Sequence, residues 1–273
     1  MLKQRVWTAL VLLLILIPAV LESSGLAFGV VSAIAMVAAA WEWGRLNTTQ
    51  SGLVWLGTVA VAVLCAIALW FHLQLPSWLW LWVSALWMLG GAWCMHRGVS
   101  AWSSIPAGVR LLLGWCLIAV AWFAAVKAKA MGIPFLLTTM SLVWIADIMA
   151  YFSGKAFGGR WIQRKLAPSL SPGKSWEGAI GGLLCVLAFA WAMQQWSVVH
   201  VFFSLQQHLM WLWPLAVVFL VVASVMGDLL ESLVKRSAGA KDSSGLLPGH
   251  GGVLDRVDAL LPVLPMALWL VGV

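Results

Sequence analysis

The sequence predicts an all-α, polytopic membrane protein of about nine transmembrane helices, and three observations carry that expectation. The chain of 273 residues is 63% hydrophobic with a mean hydropathy of +0.98, well above the roughly 45–50% apolar content of a soluble domain. Its apolar residues fall in runs close to the about 20 needed to cross a bilayer. Its Lys and Arg residues gather between alternate runs, the bias that orients a membrane protein.

In chain order the runs lie near 6–21, 26–42, 53–72, 78–94, 111–128, 131–152, 178–199, 207–230 and 254–273. The first begins behind Lys3 and Arg5 and resembles a signal peptide, but "VLESSG" is a poor cleavage site, so it reads as a retained span. Short turns at 22–25 and 129–130 separate neighbouring spans. Trp-rich clusters such as "WLWLW" at 78–82 suit the headgroup boundary. With the N-terminus cytoplasmic, only Lys127 and Lys129 of the 16 Lys and Arg residues fall outside, which gives a periplasmic C-terminus. The formal charge of +7 therefore reflects topology, and no nucleic-acid partner is expected. Cys65, Cys94, Cys116 and Cys185 have no metal or redox spacing and read as apolar filler.

The two halves differ in character. Residues 1–130 hold only two acids, Glu22 and Glu42, and read as scaffold or lipid-facing wall. Residues 131–273 hold the other acids and two long polar loops, 153–177 and 231–253, which the topology places together on the cytoplasmic side. Chemistry is expected there.

In "WIADIMAYFSGKAFGGR" (144–160), Asp147 and Tyr151 are four apart and share a helix face. A carboxylate in a span costs about 2.5–3.5 kcal/mol on insertion scales and needs a partner or a wet cavity. The Tyr151 hydroxyl serves Asp147, a ligand, or simply the interface. "SPGKSWEG" (171–178) carries a "GKS" like the tail of a P-loop, yet Pro168 stands where the first glycine belongs and no strand precedes it. Its parts still suit an anion: Lys174 is a cation, Ser175 an N-cap, and Glu177 opens the next helix.

Beyond the eighth run, Asp228, Ser232 and Lys235 form one helical stripe, and Glu231 can pair with Lys235 at i, i+4. At the ninth, Asp255 and Asp258 share a face, with Arg256 turned away. Four carboxylates (Asp147, Asp228, Asp255, Asp258) thus end three spans on one side, ringed by Lys174, Lys235, Arg236, Lys241 and His250. Mg²⁺ takes oxygen ligands, usually one or two carboxylates plus phosphates and water. Acids for a metal beside bases for phosphate fit phosphoryl or nucleotidyl transfer. The competing reading is a transporter or ion pathway using intramembrane acids.

The stretch "SLVKRSAGAKDSSGLLPGHGGVLDRVD" (232–258) resembles the CDP-diacylglycerol synthases, or phosphatidate cytidylyltransferases, whose pattern runs S-x-x-K-R, K-D, H-G-G and D-R-x-D. "SPGKSWEG" and the Asp147–Gly158 run are similar to other shared stretches of that family. The resemblance implies that CTP and phosphatidate condense to CDP-diacylglycerol and pyrophosphate for phospholipid biosynthesis. It implies a Mg²⁺ cofactor, with room for a second, monovalent cation, and a homodimer in a bacterial inner membrane. By the motif, Asp228 and Asp255 would hold the metal, with Asp258 and Asp147 behind them. Lys174, Lys235, Arg236 and Lys241 would hold phosphates, Lys235 and Lys241 nearest the chemistry. Tyr151, Ser175, Glu177, Ser232, Asp242, His250 and Arg256 complete the expected substrate-binding set. His250 serves as loop structure or phosphate donor at least as well as a proton acceptor.

Overall fold

The computed structural model describes residues 2–196 and 198–273. Every regular element among them is helical, and the strand-like pairings are isolated bridges at Ala167–Ser171 and Leu247–Gly251. In order these are α1 (Leu2–Leu21), α2 (Leu26–Asn47), α3 (Ser51–Trp70) and α4 (Trp78–Ala85). A π-helical turn, Leu86–Gly90, carries α4 into α5 (Gly91–Arg97), and α6 (Val99–Ser104) follows. The rest are α7 (Ala107–Ala130), α8 (Ile133–Phe157), α9 (Trp176–Met193), α10 (Val201–Leu209), α11 (Trp213–Ser237), α12 (Leu254–Val257) and α13 (Leu260–Leu270).

Eight helical stretches among the described residues are long and apolar enough to cross a membrane, the last running from Val201 to Ser237. The protein is multi-pass. The expected ninth run is not among these eight. Residues 254–273 divide into α12 and α13, but Asp258 and Ala259 between them keep right-handed helical backbone, and the path from Leu254 to Leu270 rises about 26 Å at 1.5 Å per residue, short of a ~30 Å hydrocarbon core. Leu260 to Leu268 are all buried. A helix apolar on every side needs protein around it, and α13 packs against α4, α7 and α11.

The ends of the spans follow from local chemistry. Gly25 and Gly132, with φ of +76° and +129°, make the two short turns in conformations that side chains resist. Lys129, expected outside, is buried and donates to the Glu22 carbonyl at 3.1 Å, tying α7 to the α1–α2 turn. The Ser175 side chain caps α9 by accepting from the Gly178 amide at 3.1 Å.

The crossing of α8 on α9 fixes the geometry of the polar end. Gly178 and Gly182 are one helical turn apart. A Cβ on Gly178 would lie 2.7 Å from the Ala150 carbonyl oxygen, and one on Gly182 2.6 Å from that of Ala146. Small residues let helix backbones meet where lipid offers no hydrophobic drive. Gly182→Val forces the pair apart and should cost about 1–3 kcal/mol, seen as a lower Tm of the detergent-solubilised protein. Gly108→Ala, where a Cβ meets nothing within 4 Å, should leave Tm unchanged or slightly raised.

Candidate active site

Because α8 and α9 cross so closely, Asp147 and Tyr151 on α8 stand beside Lys174 and Ser175 at the start of α9. The third wall is α11, whose helix runs on to Ser237 and so presents Asp228, Glu231 and Lys235 on successive turns. The fourth is α12 and the loop before it, bearing Asp242, Asp255, Arg256 and Asp258. These side chains line one cavity of about 640 Å³. Asp228 and Asp255, separated by a loop in sequence, face the same space.

Two lysines bind these walls together. Lys174 donates to Asp228 Oδ2 at 2.5 Å, joining the 153–177 loop to α11. Lys235 pairs with Glu231 on its own helix and with Asp255 Oδ1 at 2.5 Å. Arg236 ties the two loops at a third point, donating to the Leu170 carbonyl at 3.4 Å and to that of Ala240 at 3.3 Å. The other oxygen of Asp255, Oδ2, accepts from the Ser243 amide (3.0 Å), the Ser243 hydroxyl (2.9 Å) and the Gly252 amide (2.7 Å).

Behind this loop stands a residue that spacing did not single out. Glu42, on α2 in the expected scaffold half, is fully buried. It accepts from the amides of Val253 (2.9 Å) and Leu254 (2.6 Å) and from the hydroxyl of Ser244, while the Ser243 oxygen, whose proton goes to Asp255, lies 3.2 Å away. A negative group at the first amides of a helix satisfies donors that have no partner within it. Glu42 therefore fastens both ends of the turn that carries Asp255. Gly252 has no side chain because Glu42 takes the space: a Cβ there would sit 2.5 Å from its Oε1. Glu42 announced itself only as a lone acid in an apolar run.

Other expected residues lie elsewhere. Glu177 is buried and outside the cavity wall; it accepts from the amides of Trp161 (3.1 Å) and Ile162 (2.9 Å) and so folds the 158–163 loop. Ser232 lies 3.4 Å from Asp228 Oδ1, also behind the wall. Arg236 holds loop carbonyls, as above. Lys241 and His250 line an adjoining cavity of about 560 Å³ with Arg5 of α1, sharing Asp242 and Arg256 with the first. Arg256 thus faces both cavities, where the sequence expectation turned it away from the acids; its Nε donates to the His250 carbonyl at 3.1 Å. Tyr151 is exposed at the cavity edge against Phe152, with no hydrogen bond to Asp147 among the described residues. Glu231, expected only to pair with Lys235, is part of the wall.

The larger cavity is rich in oxygen donors: six carboxyl groups (Asp147, Asp228, Glu231, Asp242, Asp255, Asp258) line it with four basic side chains (Lys155, Lys174, Lys235, Arg256). All six supply hard oxygen, the donor Mg²⁺ prefers. Among the described residues no three His, Cys, Asp or Glu side chains already converge on one point as a metal cage. A site completed by substrate phosphates and water needs no such cage. Within this donor set Asp228 has an oxygen engaged only by the distant Ser232 hydroxyl, whereas both oxygens of Asp255 are occupied.

Comparison with known proteins gives consistent matches. The model of the cytidylyltransferase family matches residues 3–273. The chain is 38% identical to a phosphatidate cytidylyltransferase of Pseudomonas aeruginosa, over 100% of this chain and 98% of that protein. It is 34% identical to one of Haemophilus influenzae, over 97% of this chain and 96% of that one. A Brucella abortus protein of the same name is 37% identical over 69% of this chain and 70% of its own length.

The role of Glu42 is open to direct test. Glu42→Gln turns one acceptor into a donor facing donors, and bonds to a charged group are worth about 1.5–3 kcal/mol each. Its Tm in detergent should fall well below that of Ser244→Ala, which removes one donor and costs about 1 kcal/mol. Equal, small shifts would mean the turn is held by other contacts.

Proposed function

The chain belongs to the cytidylyltransferase family, and on that premise we propose how its cavity carries out the family's chemistry. The protein is a membrane nucleotidyltransferase: it condenses CTP with phosphatidate to give CDP-diacylglycerol and pyrophosphate, a step in phospholipid synthesis. The observation that carries the mechanism is the meeting of Lys174–Asp228 and Lys235–Asp255 in one chamber lined by six carboxyl groups.

The phosphate monoester of phosphatidate has a second pKa of about 6 and is mostly doubly ionised at neutral pH. It attacks the α-phosphorus of CTP without needing a strong base, and pyrophosphate leaves. The obstacle is repulsion between two anions, so positioning and charge neutralisation carry the catalysis. Lys174 and Ser175 stand at the N-terminus of α9, where backbone amides and the helix dipole favour an anion. Lys235 is held in place by Glu231 and Asp255 and offers its remaining donor to phosphate. Arg5, Lys241 and Arg256 line the adjoining cavity, which suits the pyrophosphate end of CTP. Mg²⁺, held by Asp228 with Asp255, Asp147 and Asp258 as the neighbouring oxygen donors, would neutralise phosphate charge when bound. Asp255 would contribute an oxygen to the ion by giving up part of its hold on Lys235.

The same reading places the cavity on the cytoplasmic face of a bacterial inner membrane, where CTP is found and phosphatidate keeps its chains in the bilayer. The Lys and Arg bias between spans supports that side. A homodimer rests on the family resemblance alone. The transporter reading lacks support: the acids gather at one end of the bundle instead of crossing it.

Purified protein in detergent, given CTP, Mg²⁺ and phosphatidate, should release pyrophosphate. Chelation by EDTA should abolish release and added Mg²⁺ restore it. Asp228→Asn should lower kcat by roughly a hundredfold or more, as the loss of one charge-stabilising group does elsewhere. Release that persists unchanged in Asp228→Asn would remove this residue from the metal site.

A further inference from the structure

The chamber's rim on the α8 side differs from the rest of its wall. Tyr151 and Lys155, one turn apart on α8, line the chamber, and so does Leu166. The segment between them leaves the wall at Lys155 and returns to it at Leu166, whose amide donates to the Lys174 carbonyl at 3.1 Å. It forms part of the mouth. Its charge is of one sign: no Asp or Glu stands between Asp147 and Glu177, whereas Lys155, Arg160, Arg164, Lys165 and Lys174 do. Lys174 pairs with Asp228; the other four form no ion pair among the described residues.

Between these cations the segment turns large apolar side chains outward. Phe157, Trp161 and Ile162 are 41%, 74% and 38% exposed. They are held in place there. The Phe157 and Trp161 rings stack with centroids 5.5 Å apart at 15°, and the Arg160 guanidinium lies 5.5 Å from the Phe157 ring centre. Gly159, with φ of +79°, turns the chain away from α8. Glu177 fixes the turn from behind through the amides of Trp161 and Ile162.

An exposed apolar patch rimmed by charge marks a contact surface, and its partner must be both apolar and anionic. A soluble triphosphate would answer the charges and leave three apolar side chains in water. A phospholipid leaflet answers both needs: aromatic rings settle at the headgroup boundary, and basic residues beside a span are drawn to anionic lipid. The segment follows directly on α8, one of the membrane-crossing helices. Among anionic lipids, phosphatidate carries a terminal monoester that is mostly doubly ionised at neutral pH, so the same cations hold it more strongly than a singly charged headgroup.

We propose that residues 155–165 are the surface on which phosphatidate docks before it reacts. Phe157, Trp161 and Ile162 seat the segment in the headgroup layer, and Lys155, Arg160, Arg164 and Lys165 draw the lipid phosphate to the rim at Tyr151. From there the headgroup enters the chamber past Lys155 while the acyl chains stay in the bilayer. This inference rests on the phosphatidate cytidylyltransferase reading above.

Pyrophosphate release is measured in mixed micelles against phosphatidate and, separately, against CTP. If the unaltered protein turns over no phosphatidate, the functional reading fails and this surface with it. Given turnover, Arg160→Gln/Arg164→Gln should raise the KM for phosphatidate roughly ten- to twentyfold, at about fivefold per cation near anionic lipid. The KM for CTP and the Tm should not move, and Arg160→Lys/Arg164→Lys should restore the lipid KM. Added salt should raise the lipid KM of the unaltered protein far more than that of the Gln variant. Trp161→Ser removes an exposed ring and should raise the lipid KM alone. Arg97→Gln, which removes an exposed cation at the end of α5, should change neither KM. An unchanged lipid KM in Arg160→Gln/Arg164→Gln would overturn the proposal, and a shift in oligomeric state alone would give the patch to a second copy of the chain. Equal rises in both KM values would give it to the nucleotide, and the same lipid effect in Arg97→Gln would give it to the overall field; either result also overturns the proposal.

Discussion

Lys235 held between Glu231 and Asp255 is the contact on which the rest of the polar end depends. An ammonium with 12% of its side chain exposed is stable only if opposite charge surrounds it, and removing one partner of a buried pair costs about 3–5 kcal/mol. Here the two partners lie on different elements. Glu231 belongs to the same helix as the lysine, whereas Asp255 belongs to α12, across the loop that carries Asp242. The lysine thus holds the short terminal helices against α11 beside the chamber's other carboxyl groups. That contact binds structure to chemistry: the fold is satisfied locally while oxygen donors remain at hand for a cation.

The surrounding architecture serves this arrangement in two ways. Glycines on α9 bring α8 near enough for Asp147 and Lys174 to address the same space. Glu42 reaches from the N-terminal half to hold the turn before α12, and α13, buried from Leu260 to Leu268, anchors that turn from below. The first helices are therefore more than a wall toward lipid. Arg5 lines the second cavity, and Thr8 donates to the Pro248 carbonyl at 2.9 Å.

Much of this was legible in the sequence where the signal is local. Hydropathy located the spans, and the 232–258 stretch gave half of the chamber's acids and bases (Lys235, Asp242, Asp255, Arg256 and Asp258), which lie on one helix end and the loop and turn that follow it. What failed was long-range. Glu42 meets residues about 200 positions away, and no spacing rule joins them; a lone acid in an apolar run was the available sign. Glu177, expected in the substrate-binding set, instead satisfies the amides of Trp161 and Ile162. The ninth run has the composition of a span, but composition cannot distinguish a short helix wrapped by protein from one wrapped by lipid.

The central claim is that the chamber's carboxylates, Asp228 foremost, take up a divalent cation together with nucleotide. Titration of the purified protein with Mn²⁺, followed by its electron paramagnetic resonance signal in the presence of a non-reacting CTP analogue, measures this without relying on turnover. One saturable site in the unaltered protein, lost or strongly weakened in Asp228→Asn while the variant keeps its Tm, is the result expected. Uptake that is the same in both proteins, or absent from both, would contradict it.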